Sequence, residues 1–186
     1  MQTMNRKQFL KNCTSGLCSC AAVGLLTPTL STADETGSRE DWRFPFIRQR
    51  YAKLFEILSE KLSDAELTET LQQLGAYCAS KGQMVQKHKG DIDGYIHEFK
   101  ERTGDDIVYD RKNGIITITG SERGECFCPL VDRTLTSKKI CDCSLGWQQY
   151  TFETLLGRQV KAELKESILY GSKRCVFQIH ISEKKM

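Results

Sequence analysis

The chain has 186 residues, of which 27 are Lys or Arg and 24 are Asp or Glu, so its formal net charge is only +3. Three of the cations lie in the first 33 residues, which hold no acidic residue, so residues 34–186 carry equal numbers of positive and negative side chains. This balance excludes nucleic acid as an expected partner, because phosphate binding requires a surplus of clustered cations. Residues 34–186 are long enough to form one domain with its own core.

The N-terminal residues have the three-part pattern of a signal peptide. A basic start is followed by the uncharged, mostly apolar stretch 13–26 and by the small-x-small site Ser31-Thr32-Ala33. The apolar stretch is too short for a membrane-spanning helix. The segment Arg6–Lys11 resembles the twin-arginine transport motif, with Lys7 in place of the second arginine. We therefore expect the export machinery to carry the protein to the periplasm or cell envelope, with no membrane span after residues 1–33 are removed.

Apolar residues at helical spacing predict a helical part in residues 42–104, with helices at 46–62, 63–82 and 91–102. Ser63 and Glu66 form a capping box at the start of the second helix, and Gly104 is expected to end the third. Cys78 lies on the apolar stripe of the second helix, which predicts a thiol packed in the core.

Residues 105–186 alternate in polarity as strands do, at 107–109, 115–119, 160–168 and 174–181, with 124–128 as a candidate fifth strand. Asn113-Gly114 and Gly171-Ser172 mark two hairpin turns. Ser144 is expected to cap a helix over 145–156. The sequence therefore predicts an α+β fold, an antiparallel sheet of four to five strands with the N-terminal helices and this last helix packed on one face.

Six of the nine cysteines lie outside the predicted signal peptide, and four of these form the Cys-x-Cys pairs Cys126/Cys128 and Cys141/Cys143. On a strand the first two sulfurs share a face. The second pair precedes the predicted helix, whose N-terminus and the two preceding lysines favour thiolate. The two pairs predict one tetrahedral sulfur site, for zinc first and an iron–sulfur cluster second. Because an exported protein meets an oxidising compartment, two disulfides with no metal are the alternative.

The register of the second hairpin decides the environment of Glu166. If Gly171-Ser172 are its two turn residues, Glu166 and Cys175 share the apolar face of both strands, where an unpaired charge is costly. A carboxylate in such a place needs a cation, a metal or a proton, and often marks a site. If the loop is one residue longer, the faces swap and Glu166 is solvated. The sequence leaves both registers open.

The order of short motifs in residues 107–186 resembles two related families. The motifs are Gly146-Trp147, Phe152–Val160, Glu166-Ser167-Ile168, Gly171 and Cys175-Val176-Phe177. One family is the 4-vinyl-reductase-type small-molecule-binding domain. The other is the L-2-amino-thiazoline-4-carboxylic acid hydrolase-like family, which has cysteines ahead of the same helix.

The first resemblance implies an α+β fold around a ligand pocket, with a structural zinc held by cysteines and a glutamate. Cys175 matches that family's last cysteine, and Ser167 stands nearest the place of another, so Cys175, Glu166 and Trp147 are candidates for the pocket or an additional metal position. The second resemblance implies that Glu166 and Cys143 take part in opening a small cyclic substrate with water.

Three functions follow as expectations from these residues and resemblances. The first is an exported small-molecule-binding domain with a metal, most plausibly zinc, held by Cys126, Cys128, Cys141 and Cys143. The second is a hydrolase of a sulfur- and nitrogen-containing heterocycle. The third is a disulfide-stabilised structural protein of the envelope.

Overall fold

The computed structural model describes residues 42–182, so the predicted signal peptide lies outside the described residues. The helices are α1 (Arg43–Lys61), α2 (Asp64–Ser80), α3 (Gln83–Lys87), α4 (Ile92–Thr103) and α5 (Cys141–Leu156). The strands are β1 (Asp106–Asp110), β2 (Ile115–Thr119), β3 (Val160–Glu166) and β4 (Val176–Ile181). Short 3₁₀ turns stand before α5, at Lys138–Ile140, and between β3 and β4, at Ile168–Tyr170.

The predicted helix boundaries are confirmed where a local signal determines them. The capping box of α2 is complete, because the Glu66 amide donates to the Ser63 hydroxyl and the Ser63 amide donates to the Glu66 carboxylate. Gly104 ends α4 with φ 70° and Gly157 ends α5 with φ 64°, a left-handed conformation that favours glycine. The short helix α3 is an addition to the sequence prediction.

The four strands form one antiparallel sheet in the order β1-β2-β4-β3. One face of the sheet carries the main core, which contains Val85, Tyr95, Ile107, Ile116, Ile118, Phe152, Leu155, Val160, Phe177 and Ile179. Because α3, α4 and α5 supply the helical members of this core, these helices cover one face of the sheet. The predicted α+β fold is therefore confirmed, with four strands.

A second hydrophobic cluster lies where α1 and α2 meet the segment before α5. Its members are Phe55, Leu67, Leu71, Val131, Ile140 and Leu169. Cys126, Cys141 and Cys143 are partly buried against it. Within residues 42–182, none of the helices is both long and apolar enough to cross a membrane.

A bulge in β3 settles the environment of Glu166. Leu164 pairs with Phe177, but Glu166 pairs with Val176, so the register shifts by one residue between the two pairs. Residues up to Leu164 keep the core face that the sequence predicts, whereas Glu166 leaves it and is exposed. The solvated alternative for Glu166 is the observed one, and the reason is the bulge together with a longer connection that contains the 3₁₀ turn.

Two other sequence predictions are wrong. Residues 124–128 form no strand and belong to an irregular connection between β2 and the 3₁₀ turn before α5. Helix α5 begins at Cys141 rather than after Ser144, because the preceding 3₁₀ turn is itself capped by the Ser137 hydroxyl and leads directly into the helix. The pair Cys141/Cys143 therefore lies inside the first helical turn.

Ion pairs between α3 and α4 predict how stability depends on pH. Contacts from Lys87 at 2.5 Å and His88 at 2.7 Å, together with Arg102, lower the pKa of Glu98 to about 2. A carboxyl whose pKa is lowered on folding stabilises the fold above its unfolded pKa and loses that contribution as the pH falls from about 4.5 towards 2. We expect Glu98→Gln to lower the urea midpoint at neutral pH and to lower it less at acid pH. Glu101→Gln is the control, and curves that stay parallel at every pH would contradict the assignment.

Candidate functional site

Helices α2 and α5 cross with their backbones in direct contact. A methyl group built on Gly75 would lie 1.9 Å from the Cys143 carbonyl oxygen, and one built on Gly146 would lie 2.0 Å from the Gln72 carbonyl oxygen. Only glycine allows so close an approach from both sides. The contact therefore brings the first turn of α5 directly beside the last two turns of α2, where Cys78 lies.

The first turn of α5 directs its two cysteines to different surroundings. Residues two apart on a helix are separated by about 200° around the axis, so Cys141 and Cys143 point away from each other. The Cys141 sulfur lies 3.3 Å from the Ser167 hydroxyl on the β3–β4 side. The Cys143 backbone contacts Gly75 of α2.

The connection between β2 and α5 brings Cys126 and Cys128 to the same end of α5. Its anchor to α1 is a 2.6 Å hydrogen bond from the Arg48 guanidinium to the Pro129 carbonyl. A second anchor is Val131, which is buried in the second hydrophobic cluster. Cys126 is half-buried there, and Cys128 is exposed.

Cys126, Cys141 and Cys175 form what we define as the first thiol group. Burial, followed by the neighbouring charges of Cys175 and Cys141, raises the pKa of Cys126 to about 11. Burial also raises the pKa of Cys141, with Cys175 adding to the effect and the Ser167 hydroxyl opposing it. The charge of the half-buried Cys175, the residue before β4, thus acts on both half-buried thiols, Cys126 in the connection and Cys141 in α5.

Cys78, Cys128 and Cys143 form the second thiol group. Burial raises the pKa of Cys143 to about 12, with Cys78 and then Cys128 adding to it. The pKa of Tyr51 on α1 is also raised to about 12, by burial first and then by the charges of these same three cysteines. Cys78 and Cys128 therefore contribute to the raised pKa of both Cys143 and Tyr51.

The prediction that the start of α5 favours thiolate is wrong. Burial is the largest influence on both thiols and raises the pKa of both Cys141 and Cys143. The two lysines before the helix are engaged elsewhere. Lys139 lies 3.1 Å from the Asp142 carboxylate, and the Lys138 ammonium lies over the Tyr170 ring.

The cysteines are the type of ligand that a soft metal prefers, but their positions in this structure do not form a coordination site. All six cysteines between residues 42 and 182 are free thiols, and thiolate is the ligand that zinc prefers in structural sites. In that described range no three Cys, His, Asp or Glu side chains already stand in coordinating positions. Glu166, the counterpart of the carboxylate ligand implied by the family resemblance, is exposed.

A groove of about 620 Å³ lies next to the first thiol group. Cys141 and Leu145 of α5 form one side, and Leu164, Glu166 and Ser167 contribute to the other. The groove thus combines apolar side chains with a thiol, a hydroxyl and charged side chains.

The remaining candidate residues fall in different places. The Trp147 backbone lies at the contact with Gly75 of α2, and its side chain is half-buried. Cys143, with its pKa raised to about 12, is poorly suited to act as a thiolate nucleophile at neutral pH. Glu166 lines the groove. The hydrolase function stays a prediction from the sequence.

Two members of this region escaped sequence reasoning. Cys78 is exposed, so its prediction as a core thiol is wrong: the buried face of α2 at this level is formed by Gly75 and Ala79. Gly75 and Cys78 are one helical turn apart on α2. This spacing indicates that the close contact at Gly75 also brings residue 78 near α5. No local sequence pattern predicts that Tyr51 lies in this region, because its position depends on how α1 packs against the other helices.

Comparisons with known proteins bear on the family more than on the function. A model described as a family of unknown function, DUF6144, matches residues 63–186. No curated protein sequence matches the chain. Among solved structures, one similar chain is a trafficking protein particle complex subunit 3 from Naegleria fowleri, crystallised covalently bound to palmitic acid. It is 13% identical, with a TM-score of 0.41, over 75% of this chain and 97% of that chain.

Proposed function

This chain belongs to the family of unknown function DUF6144, and we propose that it is an exported small-molecule-binding domain that holds a zinc ion through cysteine thiolates. The ligands that we propose are Cys126, Cys141 and Cys175. The observation that carries the proposal is that Cys126 and Cys141 are half-buried against the same hydrophobic cluster, and that the charge of the half-buried Cys175 raises the pKa of both.

The raised thiol pKa values support a metal as the partner of this group. Burial takes hydration away from Cys126 and Cys141, and the nearby charge of Cys175 adds to the effect, so the pKa of both thiols is raised. A divalent cation reverses this balance, because a coordinated thiol gives up its proton. The proposed ligands differ from the set predicted from sequence, because Cys141 and Cys143 point apart on α5. Cys175 takes the place of Cys128 and Cys143.

The groove supports the small-molecule part of the proposal. Three thiolate ligands leave one position of a tetrahedral zinc ion for another donor. Cys141 belongs both to the first thiol group and to the lining of the groove, so a molecule in the groove lies next to the ion. The Ser167 hydroxyl and the exposed Glu166 carboxylate are the polar groups that would orient such a molecule.

Residues 1–33 are the reason that export is part of the proposal. The compartment that the protein reaches determines whether its thiols are oxidised. A chain folded with its metal before transport keeps its thiols from oxidation, whereas an unloaded chain meets an oxidising compartment. Cell fractionation with and without residues 1–33 tests this part separately. Retention of the full chain in the cytoplasm would remove export from the proposal and leave the metal site standing.

Metal analysis of cysteine variants tests the zinc ligands. The parent protein is the full chain with Cys13, Cys18 and Cys20 replaced by serine, which we call the six-cysteine chain. We expect Cys175→Ser to lose one bound zinc and to weaken zinc binding at the first thiol group at least about 100-fold, because one of its three thiolates is removed. The matched control is Ser144→Ala, in the same helical turn as Cys141 and Cys143, which we expect to keep the zinc content of the parent.

A six-cysteine chain that binds no zinc when purified reduced would refute the proposal. Unchanged zinc content and affinity in Cys175→Ser would refute this ligand set. The groove has its own test, since cobalt bound in place of zinc reports its ligands by absorption. We expect a small thiol added to the cobalt-loaded chain to change the spectrum, and no change up to saturating thiol would mean that the ion is closed to the groove.

A further inference from the structure

Helix α1 carries apolar residues on two of its sides, and only one of these sides is packed. Phe55 is buried in the second hydrophobic cluster, and Tyr51 and Leu58 pack against that cluster. On the other side, four large apolar residues are exposed in the part of the chain that the structure describes: Phe46, Ile47, Leu54 and Ile57. Contiguous exposed apolar surface marks an interaction site, so this side of α1 needs a partner.

The exposed side of α1 combines its apolar side chains with cations alone. Successive residues of a helix are about 100° apart around its axis, so the four apolar residues fall within one sector of about 100°. The same sector holds Arg43, Arg50 and Lys61, and all of its residues are exposed. The acidic residues of α1, Glu56 and Glu60, lie outside the sector. This sector, which we call the exposed α1 face, is therefore complementary to a negatively charged surface.

Aromatic side chains extend the exposed α1 face at the start of the helix. Trp42, the residue before α1, is 69% exposed, and its ring centre lies 5.9 Å from that of Phe46. The Arg50 guanidinium lies over the Phe46 ring, 5.4 Å from its centre. Tryptophan, phenylalanine and leucine beside arginine and lysine are typical of helices that lie in a membrane interface, where the rings sit at the level of the lipid headgroups.

The charge of α1 favours a lipid surface over a second copy of the chain. Residues 43–53 hold four cations and no acidic residue, so two copies that met through this half of the helix would bring like charges together. The phosphates of anionic lipids would neutralise the same charges. Because no helix within residues 42–182 is long and apolar enough to cross a membrane, the contact that we consider is with the membrane surface.

We propose that the exposed α1 face binds the surface of an anionic phospholipid membrane, with α1 lying along the interface. Leu54 and Ile57 enter the boundary between headgroups and acyl chains, while the long side chains of Arg50 and Lys61 extend to the lipid phosphates. The side of α1 that contains Phe55 stays packed on the domain. Binding through this face requires neither zinc nor export, so its failure and the failure of the proposed function are separate results.

Vesicle binding tests the proposal through the fluorescence of Trp42. The chain has two tryptophans, so Trp147→Phe in the full chain leaves Trp42 as the only one. We expect vesicles of equal parts phosphatidylglycerol and phosphatidylcholine to shift the Trp42 emission to shorter wavelength, and brominated phosphatidylcholine in these vesicles to quench it. Phosphatidylcholine vesicles should require at least about tenfold more lipid for the same shift, because they offer no net negative charge to the cations.

A charge placed on the exposed α1 face should weaken this binding. Leu54→Glu in the Trp147→Phe chain is expected to raise the lipid concentration for half of the shift at least about 30-fold, because an apolar side chain leaves the boundary and a negative charge meets anionic lipid. Leu54 is 54% exposed, so its replacement does not open the core. Gln49→Glu is the matched control, since it makes the same change of charge at an exposed position of α1 outside this face, and we expect at most about a fivefold effect.

All these chains contain residues 1–33, so the differences between them report on α1. Trp42 emission that shifts equally in the parent and in Leu54→Glu would overturn the proposal. Emission already at short wavelength in buffer, and unchanged by lipid, would mean that the chain itself covers this face. A dimer that Leu54→Glu dissociates, with no shift on phosphatidylglycerol vesicles, would make a second copy the occupant. A monomer whose exposed Trp42 does not respond to these vesicles would leave an acidic protein as the partner, and each of these results overturns membrane binding.

Discussion

Replacing Gly146 with alanine is expected to lower the free energy of unfolding by roughly 3 kcal/mol, near the upper end of the usual cost of overpacking a core. The added methyl group would lie 2.0 Å from the Gln72 carbonyl oxygen and within 2.6 Å of two other Gln72 backbone atoms. No rotamer change relieves a clash with backbone, so α2 and α5 must move apart. Elsewhere in a helix the same change stabilises, because alanine has the higher helix propensity by about 1 kcal/mol.

Urea unfolding followed by circular dichroism measures this loss as a shift in midpoint. Gly75→Ala is expected to behave alike, since its methyl group would meet the Cys143 carbonyl oxygen at 1.9 Å. Gly124→Ala is the matched control, because a methyl group there has no heavy atom within 4 Å. Equal midpoints for Gly146→Ala and Gly124→Ala would show that the helices are not in backbone contact.

Local signals predicted the elements of the fold, and tertiary contacts decided the rest. Ser63 with Glu66 and the left-handed Gly104 act within a few residues, so the boundaries they set are readable from sequence. The start of α5 is different. Ile140 is buried in the second hydrophobic cluster, and Thr68 of α2 donates a 2.8 Å hydrogen bond to the Asp142 carboxylate, so contacts from other elements support the turn before Ser144.

The candidate site shows the same division. The two Cys-x-Cys pairs are visible in the sequence, and so is the expectation that sulfur atoms meet. Which sulfurs lie close together depends on whether Cys141 precedes the helix or lies inside it. The helix begins four residues earlier than predicted, so Cys141 and Cys143 point in different directions instead of towards one site. The exposure of Glu166 likewise follows from a single bulge in β3, which the alternation of its residues does not reveal.

The apparent affinity of the first thiol group for zinc is expected to rise at least about 100-fold for each pH unit between about pH 6 and 8, because at least two protons must leave. Burial and neighbouring charges raise the pKa of Cys126 to about 11 and raise that of Cys141 as well. A raised pKa keeps the thiol protonated throughout this range, so each ligand gives up a full proton and contributes a factor of ten per pH unit. Competition with a chromophoric chelator measures the slope.

Removing one ligand should change that slope by a predictable amount. In Cys126→Ser one proton fewer is released on zinc binding. The rise in apparent zinc affinity per pH unit is therefore expected to be about tenfold smaller than in the parent. Calorimetry in buffers of different ionisation enthalpy counts the released protons directly, and Ser144→Ala should leave the count unchanged. A shallow slope in the parent would mean that zinc is held by groups already ionised at neutral pH. The same slope after Cys126→Ser would mean that Cys126 is not a ligand.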